Sequence, residues 1–120
     1  MEIKNNYLSV LKKDRQIIGV ASLCSFDELK DLKWDLKNPC ELSRFGIDHV
    51  YHKKGIGMIF LNHIINVARK KGFDGIILLV SKVNYAALKL YNKSGFENCG
   101  ETFRYDSEYY CYQKAFTSNT

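Results

Sequence analysis

The sequence predicts an α/β fold: a mixed, mostly antiparallel sheet with one β-α-β crossover at its centre. Three observations carry this. Two β-rich runs, Tyr7–Leu11 and Ile17–Leu23, flank the charged turn Lys12-Lys13-Asp14-Arg15 and read as a hairpin. A helix-periodic segment from about Ile56 to Lys71 separates two strand-like runs, Leu42–Ile47 and Ile76–Val80. Two late strand-like runs, Glu101–Tyr105 and Glu108–Phe116, read as a second hairpin turning through Asp106-Ser107.

A chain of 120 residues suits one domain, 1–120, with its core over about 7–116. The hydrophobic share of 46% excludes a disordered composition. A net charge of +5 favours anionic partners in the broad sense: nucleic acid, an acidic membrane or a phosphorylated cofactor. The lysines are scattered, however, with dense runs only at Lys12-Lys13, Lys53-Lys54 and Lys70-Lys71, so solubility explains them and no nucleic-acid partner is expected. Cys24, Cys40, Cys99 and Cys111 form no close pair, which favours free thiols and no metal. Residues 1–7 are polar and no stretch approaches the roughly 20 apolar residues that cross a bilayer, so the expectation is a cytoplasmic chain without a membrane partner. Small folds leave apolar surface uncovered, which makes a homodimer an expectation.

Taken in order, Ser25 reads as the cap of a short helix, with Glu28 as its capping-box partner and Leu29, Leu32 and Leu36 as its apolar stripe. Asn38-Pro39 stops it. The strand Cys40–Ile47 alternates so that Glu41, Ser43, Phe45 and Ile47 share one side and Leu42 and Arg44 the other. The helix from Ile56 carries Ile56, Phe60, Leu61, Ile64, Ile65, Val67 and Ala68 over half its circumference and ends at Gly72. The uninterrupted run Ile76–Val80 predicts a central strand covered on both faces. Asn84 then caps a helix to about Ser94, ended by Gly95, with Ala87, Leu90 and Tyr91 on one side.

The segment His52-Lys53-Lys54-Gly55-Ile56-Gly57 joins a strand to a helix start. First-turn N–H groups lack helical partners and, with the helix dipole behind them, suit phosphate oxygens. Gly55 and Gly57 permit a tight turn and a close phosphate approach, while Lys53 and Lys54 add attraction. An ordinary turn would read the same way, and neither the Gly-Lys-Ser/Thr order of a nucleotide loop nor a three-glycine dinucleotide fingerprint is present.

The second segment that matters is Val83-Asn84-Tyr85-Ala86-Ala87-Leu88-Lys89-Leu90-Tyr91-Asn92-Lys93-Ser94-Gly95-Phe96. Together the two resemble the GCN5-related N-acetyltransferase (GNAT) superfamily. Its first signature is Gln/Arg-x-x-Gly-x-Gly/Ala, and its second runs from Asn through Ala and Leu-Tyr to Gly-Phe. Ile47-Asp48-His49-Val50-Tyr51 stands where the family often has Val-x-Pro-x-Tyr. Here His52 replaces the glutamine or arginine and His49 the frequent proline. The resemblance covers about Tyr7 to Phe116 and implies a compact fold with splayed central strands, lacking much of the family's usual N-terminal region. Phe26–Lys37 or a neighbouring subunit would then supply the acceptor wall.

The resemblance further implies acetyl-coenzyme A as cosubstrate, held between the diverging strands beside Ile47 and Val80. Its pyrophosphate would meet the amides of Lys53, Lys54, Gly55, Ile56, Gly57 and Met58 after His52, and Asn84 would bond coenzyme while capping its helix. Tyr91 is the expected general acid and Glu41 the expected base. Ser43 would order water, the Ile47 amide would face the oxyanion, and Trp34 and Tyr105 would line the acceptor entrance. The expected reaction is direct acetyl transfer to a primary amine, first a small metabolite, alternatively a peptide substrate (a protein lysine or N-terminus). A non-catalytic coenzyme-A-binding or assembly module is the competing reading.

Overall fold

The computed structural model describes residues 7–52 and 54–116. Six strands form one sheet: β1 (Tyr7–Lys13), β2 (Gln16–Ser25), β3 (Cys40–Ile47), β4 (Gly75–Ser81), β5 (Glu97–Arg104) and β6 (Ser107–Ala115). Their order across the sheet is β1-β2-β3-β4-β6-β5, and only β3 and β4 run parallel. Between those two lies α1 (Ile56–Lys70); α2 (Tyr85–Lys93) connects β4 to β5. The expected mixed sheet and crossover are both present.

One face of the sheet packs against the helices. The apolar arc of α1 buries Phe60, Leu61, Ile64, Ile65 and Ala68 against Ala21, Leu23, Leu42, Ile76, Leu78 and Val80. Asn62, His63, Asn66 and Arg69 on the opposite arc are exposed. The other face is covered by the irregular segment 26–39, and Ile76 to Leu78 are at most 1% exposed because both coverings meet on β4.

That segment differs from the expected helix. Only a single 3₁₀ turn, Asp27–Leu29, forms, and Ser25 Oγ accepts from the Asp27 N–H at 3.2 Å. Long-range partners hold the rest. Gln113 on β6 accepts the Asp35 N–H and donates to the Asp35 carboxylate, both at 3.1 Å. Asp74 Oδ2 accepts the N–H groups of Lys37 and Asn38 at 2.8 and 3.0 Å. Each such bond occupies a backbone group that a continued helix would need.

Two further expectations are corrected. Strand β5 begins at Glu97 rather than Glu101, and its hairpin turns at Tyr105 and Asp106, with φ of 52° and 58°. Two consecutive left-handed residues make the tight turn that suits strand twist, normally with glycine or asparagine there. In β3, Ser22 pairs with Arg44 and Leu23 with Leu42, so Ser43 is an extra residue without a partner on β2. This bulge resets the alternation. Phe45 and Ile47 pack on the helix face with Leu42, not on the side of Glu41.

Candidate active site

The turn into α1 is built from three pieces. Asp48 closes a 3₁₀ turn over His49–Tyr51 by accepting the Val50 N–H at 3.2 Å. His52 Nε2 lies 2.9 Å from the Ile47 carbonyl, which can only accept, so that nitrogen carries the proton. Gly55 then takes the N-cap position at φ 76°, with no side-chain cap. A Cβ there would meet nothing within 4 Å, so the backbone angle and not space calls for glycine.

The first N–H to find a helical carbonyl is that of Ile59, which donates to Gly55 at 3.2 Å. The amides of Ile56, Gly57 and Met58 precede it and have no helical acceptor. No acidic side chain lies in this first turn. Lys54 Nζ stands 6.0 Å, and Lys13 Nζ 5.3 Å, from the centroid of the Tyr51 ring. Partial positive charge of the helix end and two lysines therefore share one corner. Lys53 lies outside the described residues. Met58 sits deeper, its sulfur accepting from Ser94 Oγ at 3.1 Å, and Gly57 faces Leu90 of α2.

The corner stands at the end of a split in the sheet. Strands β3 and β4 pair only at Cys40–Ile76 and Glu41–Ile77, whereas β4 pairs with β6 along all seven of its residues. Beyond Glu41 the two parallel strands separate. Asp48 N–H donates to the Ile18 carbonyl of β2 at 2.6 Å. By strand alternation, the amides of Ile47 and Phe45 point the opposite way, toward the split. Gly19 makes the Ile47 position possible, because a Cβ there would lie 2.9 Å from Ile47 Cδ1.

On the helix face, Tyr91 of α2 is 7% exposed and sits among Phe45, Phe96 and Tyr112, with ring centroids 6.4, 5.4 and 6.4 Å away. Burial pushes its phenol up to about 12, so it stays protonated at neutral pH. Asn84 caps α2, its Oδ1 accepting the Ala87 N–H at 3.2 Å, and its exposed side chain retains the amide donors.

On the other face, where β3 and β4 begin to part, lies a cavity of about 310 Å³. Glu28, Leu29, Glu41, Leu42, Ser43, Leu79, Tyr105 and Tyr109 line it. Burial raises the Glu41 carboxyl above the ordinary carboxylate range; the nearby Glu28 charge adds to this, while a bond from Cys24 and the charge of Arg104 oppose it. Arg104 is held elsewhere: it donates to the Glu28 carbonyl at 2.9 Å and pairs with the Asp31 carboxylate. It thereby ties the late hairpin to the 27–31 turn, and the residues beside these anchors, Tyr105 and Leu29, are cavity walls. Ser43 Oγ donates to the Ser22 carbonyl at 3.3 Å.

Glu41, Ser43 and Tyr105 are thus brought together. Tyr91 lies across the sheet from them, with the split between. Trp34 is not in the cavity lining; its indole N–H donates to the Leu29 carbonyl at 2.8 Å and so braces a wall residue. Glu28 and Tyr109 escaped the sequence reading. Tyr109 shares strand parity with Cys111 and Gln113, which is its signal in the sequence, whereas the local pattern around Glu28 offers only a capping role. Among the described residues no group of three or more His, Cys, Asp or Glu is placed to hold a metal, and no helix is long and apolar enough to cross a membrane.

Comparison with known proteins agrees with the fold. N-acetyltransferase family 8 member 3 of Rattus norvegicus is 32% identical over a segment covering 85% of this chain and 46% of that protein. The chain spans less than half the length of the curated relatives it matches. In fold it is similar to the ribosomal-protein-S18-alanine N-acetyltransferase of Escherichia coli, with a TM-score of 0.76 at 19% identity over 99% of this chain and 74% of that one. It is also similar to a chain of the NatC complex bound to Gag peptide and CoA, with a TM-score of 0.73 at 21% identity over 93% and 71%. The acetyltransferase (GNAT) family profile matches residues 2–96, and the chain belongs to that family.

Proposed function

We propose that this chain transfers the acetyl group of acetyl-coenzyme A to the α-amine of a peptide N-terminus. The observation that carries the reading is that β3 and β4 part beyond Glu41, leaving an opening between the glycine-capped helix start on one face of the sheet and the two-carboxylate cavity on the other. The donor fits one side. Uncapped amides of Ile56, Gly57 and Met58, with Lys54, suit a pyrophosphate, and the Asn84 amide suits a coenzyme carbonyl. His52 contributes by holding the loop through Ile47.

Transfer forms a C–N bond and breaks the C–S bond of the thioester. The amine gives its proton to Glu41, directly or through a water on Ser43. The amides of Ile47 and Phe45 stabilise the developing oxyanion, and Tyr91 supplies a proton to the leaving sulfur. A base with a raised pKa accepts a proton better than an exposed carboxylate.

Two considerations support a peptide over the small metabolite expected from sequence. The S18-alanine enzyme and the NatC complex carry peptide or protein substrates in their names, and Tyr105, 71% exposed, gives the cavity an open aromatic rim. Among peptide amines, the α-amine has a pKa of about 7.7–8.0 against about 10.4 for lysine, so far more of it arrives neutral. The test is coenzyme A release with peptides of free N-terminus, N-blocked lysine peptides and small amines, the acetylated atom located by mass spectrometry. Acetyl on the α-amine is expected. Acetyl confined to lysine or to small amines would remove the peptide N-terminus as acceptor. Binding of acetyl-coenzyme A with no turnover of any amine would instead favour a coenzyme-binding module.

A further inference from the structure

The side of Glu41 away from the cavity is occupied by a thiol. Cys24 on β2 stands directly opposite Glu41 in the antiparallel register, and its Sγ donates to Glu41 Oε1 at 3.6 Å. Burial, then the charge of Glu41, raises the thiol above its ordinary value, while a bond from Ser43 lowers it. The sulfur therefore keeps its proton, which makes it a donor rather than a nucleophile. A thiolate facing a carboxylate would be repelled.

We infer that Cys24 is a positioning residue for Glu41: its S–H holds one carboxylate oxygen against β2 and leaves the other directed to the cavity. This rests on the reading of Glu41 as the proton acceptor. The groups that face Glu41 act in a definite sense. Glu28, from the 27–29 turn, disfavours its ionised form; Arg104, from β5, favours it. Ser43 reaches Cys24 from the same strand as Glu41, and the Tyr105 and Tyr109 phenols close the cavity from the late hairpin. Within this set Cys24 is the hydrogen-bond donor to the carboxylate itself. A donor to the charged form lowers a carboxyl pKa, so its loss must raise Glu41 further. Coupling between two titrating groups is reciprocal, so neutralising Glu41 must lower the Cys24 thiol.

Both directions are measurable without turnover. Carbon-13 titration of the Glu41 carboxyl in Cys24→Ala should move up by about half a pH unit, a modest shift because thiols are weak donors. The acid limb of kcat/KM should follow, with roughly threefold lower activity at a fixed pH on that limb. Cys24→Ser, which keeps a donor of nearly the same volume on a shorter bond, should fall between, and serves if the alanine variant folds poorly. In Glu41→Gln, alkylation of Cys24 by iodoacetamide, resolved by peptide mass spectrometry, should quicken at mildly alkaline pH. Unchanged Glu41 titration in both cysteine variants, or unchanged alkylation in Glu41→Gln, overturns the assignment. Full turnover by Glu41→Gln would instead discard Glu41 as the base, while the two titrations would still report whether the pair exists.

Discussion

Replacing Gly55 by alanine separates the backbone of the α1 turn from everything around it. The residue sits at φ 76°, and an added Cβ would meet no atom within 4 Å, so the penalty is conformational alone. A left-handed angle costs a non-glycine residue roughly 1–2 kcal/mol. With an unfolding entropy of about 2.1 cal/mol/K per residue, this 120-residue chain should lose about 4–8 °C in Tm. The loop can escape part of that strain by rotating, which mis-aims the amides of Ile56 to Met58. One lost hydrogen bond to a charged oxygen is worth roughly 1.5–3 kcal/mol, so Kd for acetyl-coenzyme A should rise about tenfold or more. Gly57→Ala is the control for stability alone, since the Gly57 amide belongs to the same phosphate turn; Gly57 lies within the helix and its Cβ would rest 3.7 Å from Leu90 Cδ2, an ordinary contact. It should stabilise by roughly 0.5–1 kcal/mol, because alanine is the better helix former. Thermal unfolding and calorimetric titration read both quantities. A Gly55→Ala chain that is destabilised yet binds acetyl-coenzyme A as tightly as the parent refutes the amide turn as the phosphate site.

Tyr91→Phe should lower kcat by at least tenfold while Kd for acetyl-coenzyme A stays unchanged; the parent, with its phenol near 12, should show no alkaline loss from this group below about pH 11. Glu41→Gln should abolish the acid limb of the rate profile and yet stabilise the fold at neutral pH. The sign follows from the raised carboxyl: the folded state holds its proton longer than the unfolded one, so parent stability falls as pH rises from the ordinary carboxylate value through the folded value, and urea unfolding at several pH values would show that slope vanish in the variant. Arg104→Ala should raise KM for the proposed peptide acceptor severalfold with KM for acetyl-coenzyme A unchanged, since Arg104 ties the hairpin bearing Tyr105 to the turn bearing Glu28; equal effects on both constants would contradict that tie. Deleting Ser43 should leave a folded chain with no turnover, because it removes the bulge while keeping Leu42 and Phe45 on one face; retained turnover would show that the split does not depend on the bulge.

What the sequence disclosed was set by local forces. The amphipathic arc of α1, the apolar run of β4 and the glycine turn before α1 each follow from residues close in sequence, and each lies where the pattern puts it. The features it concealed depend on distant partners. Ser25 and Glu28 spell a capping box, but Gln113 and Asp74 capture the backbone of residues 35–38, and only one 3₁₀ turn forms, with Phe26 and not Ser25 at its N-cap position and no side-chain cap. The tight turn at Tyr105-Asp106 lacks the glycine or asparagine that announces such turns; its place is fixed by Arg104 pairing with Ser107. The cavity joins the 26–29 turn, two central strands and the last hairpin, so no spacing along the chain could have grouped Glu28, Glu41 and Tyr109.

The bulge at Ser43 explains how one strand serves both faces of the sheet. Were Ser43 paired in regular alternation instead of bulged, Phe45 would stand beside Glu41 and Arg44 would point at the helices. With it, Cys40, Leu42, Phe45 and Ile47 all join the helix-side packing, and Phe45 stacks on Phe60 at 5.5 Å while meeting the edge of Tyr91. Glu41 and Ser43 keep the opposite face and its cavity. Bulges bend a strand and increase its twist. The last paired residue of β3 on the β4 side, Glu41, lies two residues before the bulged Ser43. The bend thus accounts for the opening of the sheet where it occurs, and the full pairing of β4 with β6 keeps the opened edge from unravelling. Amides freed on β3 have no strand partner across the gap, and a buried unpaired N–H costs free energy unless something accepts from it. In the proposed reaction, the carbonyl oxygen gaining negative charge is the acceptor that would fill that role.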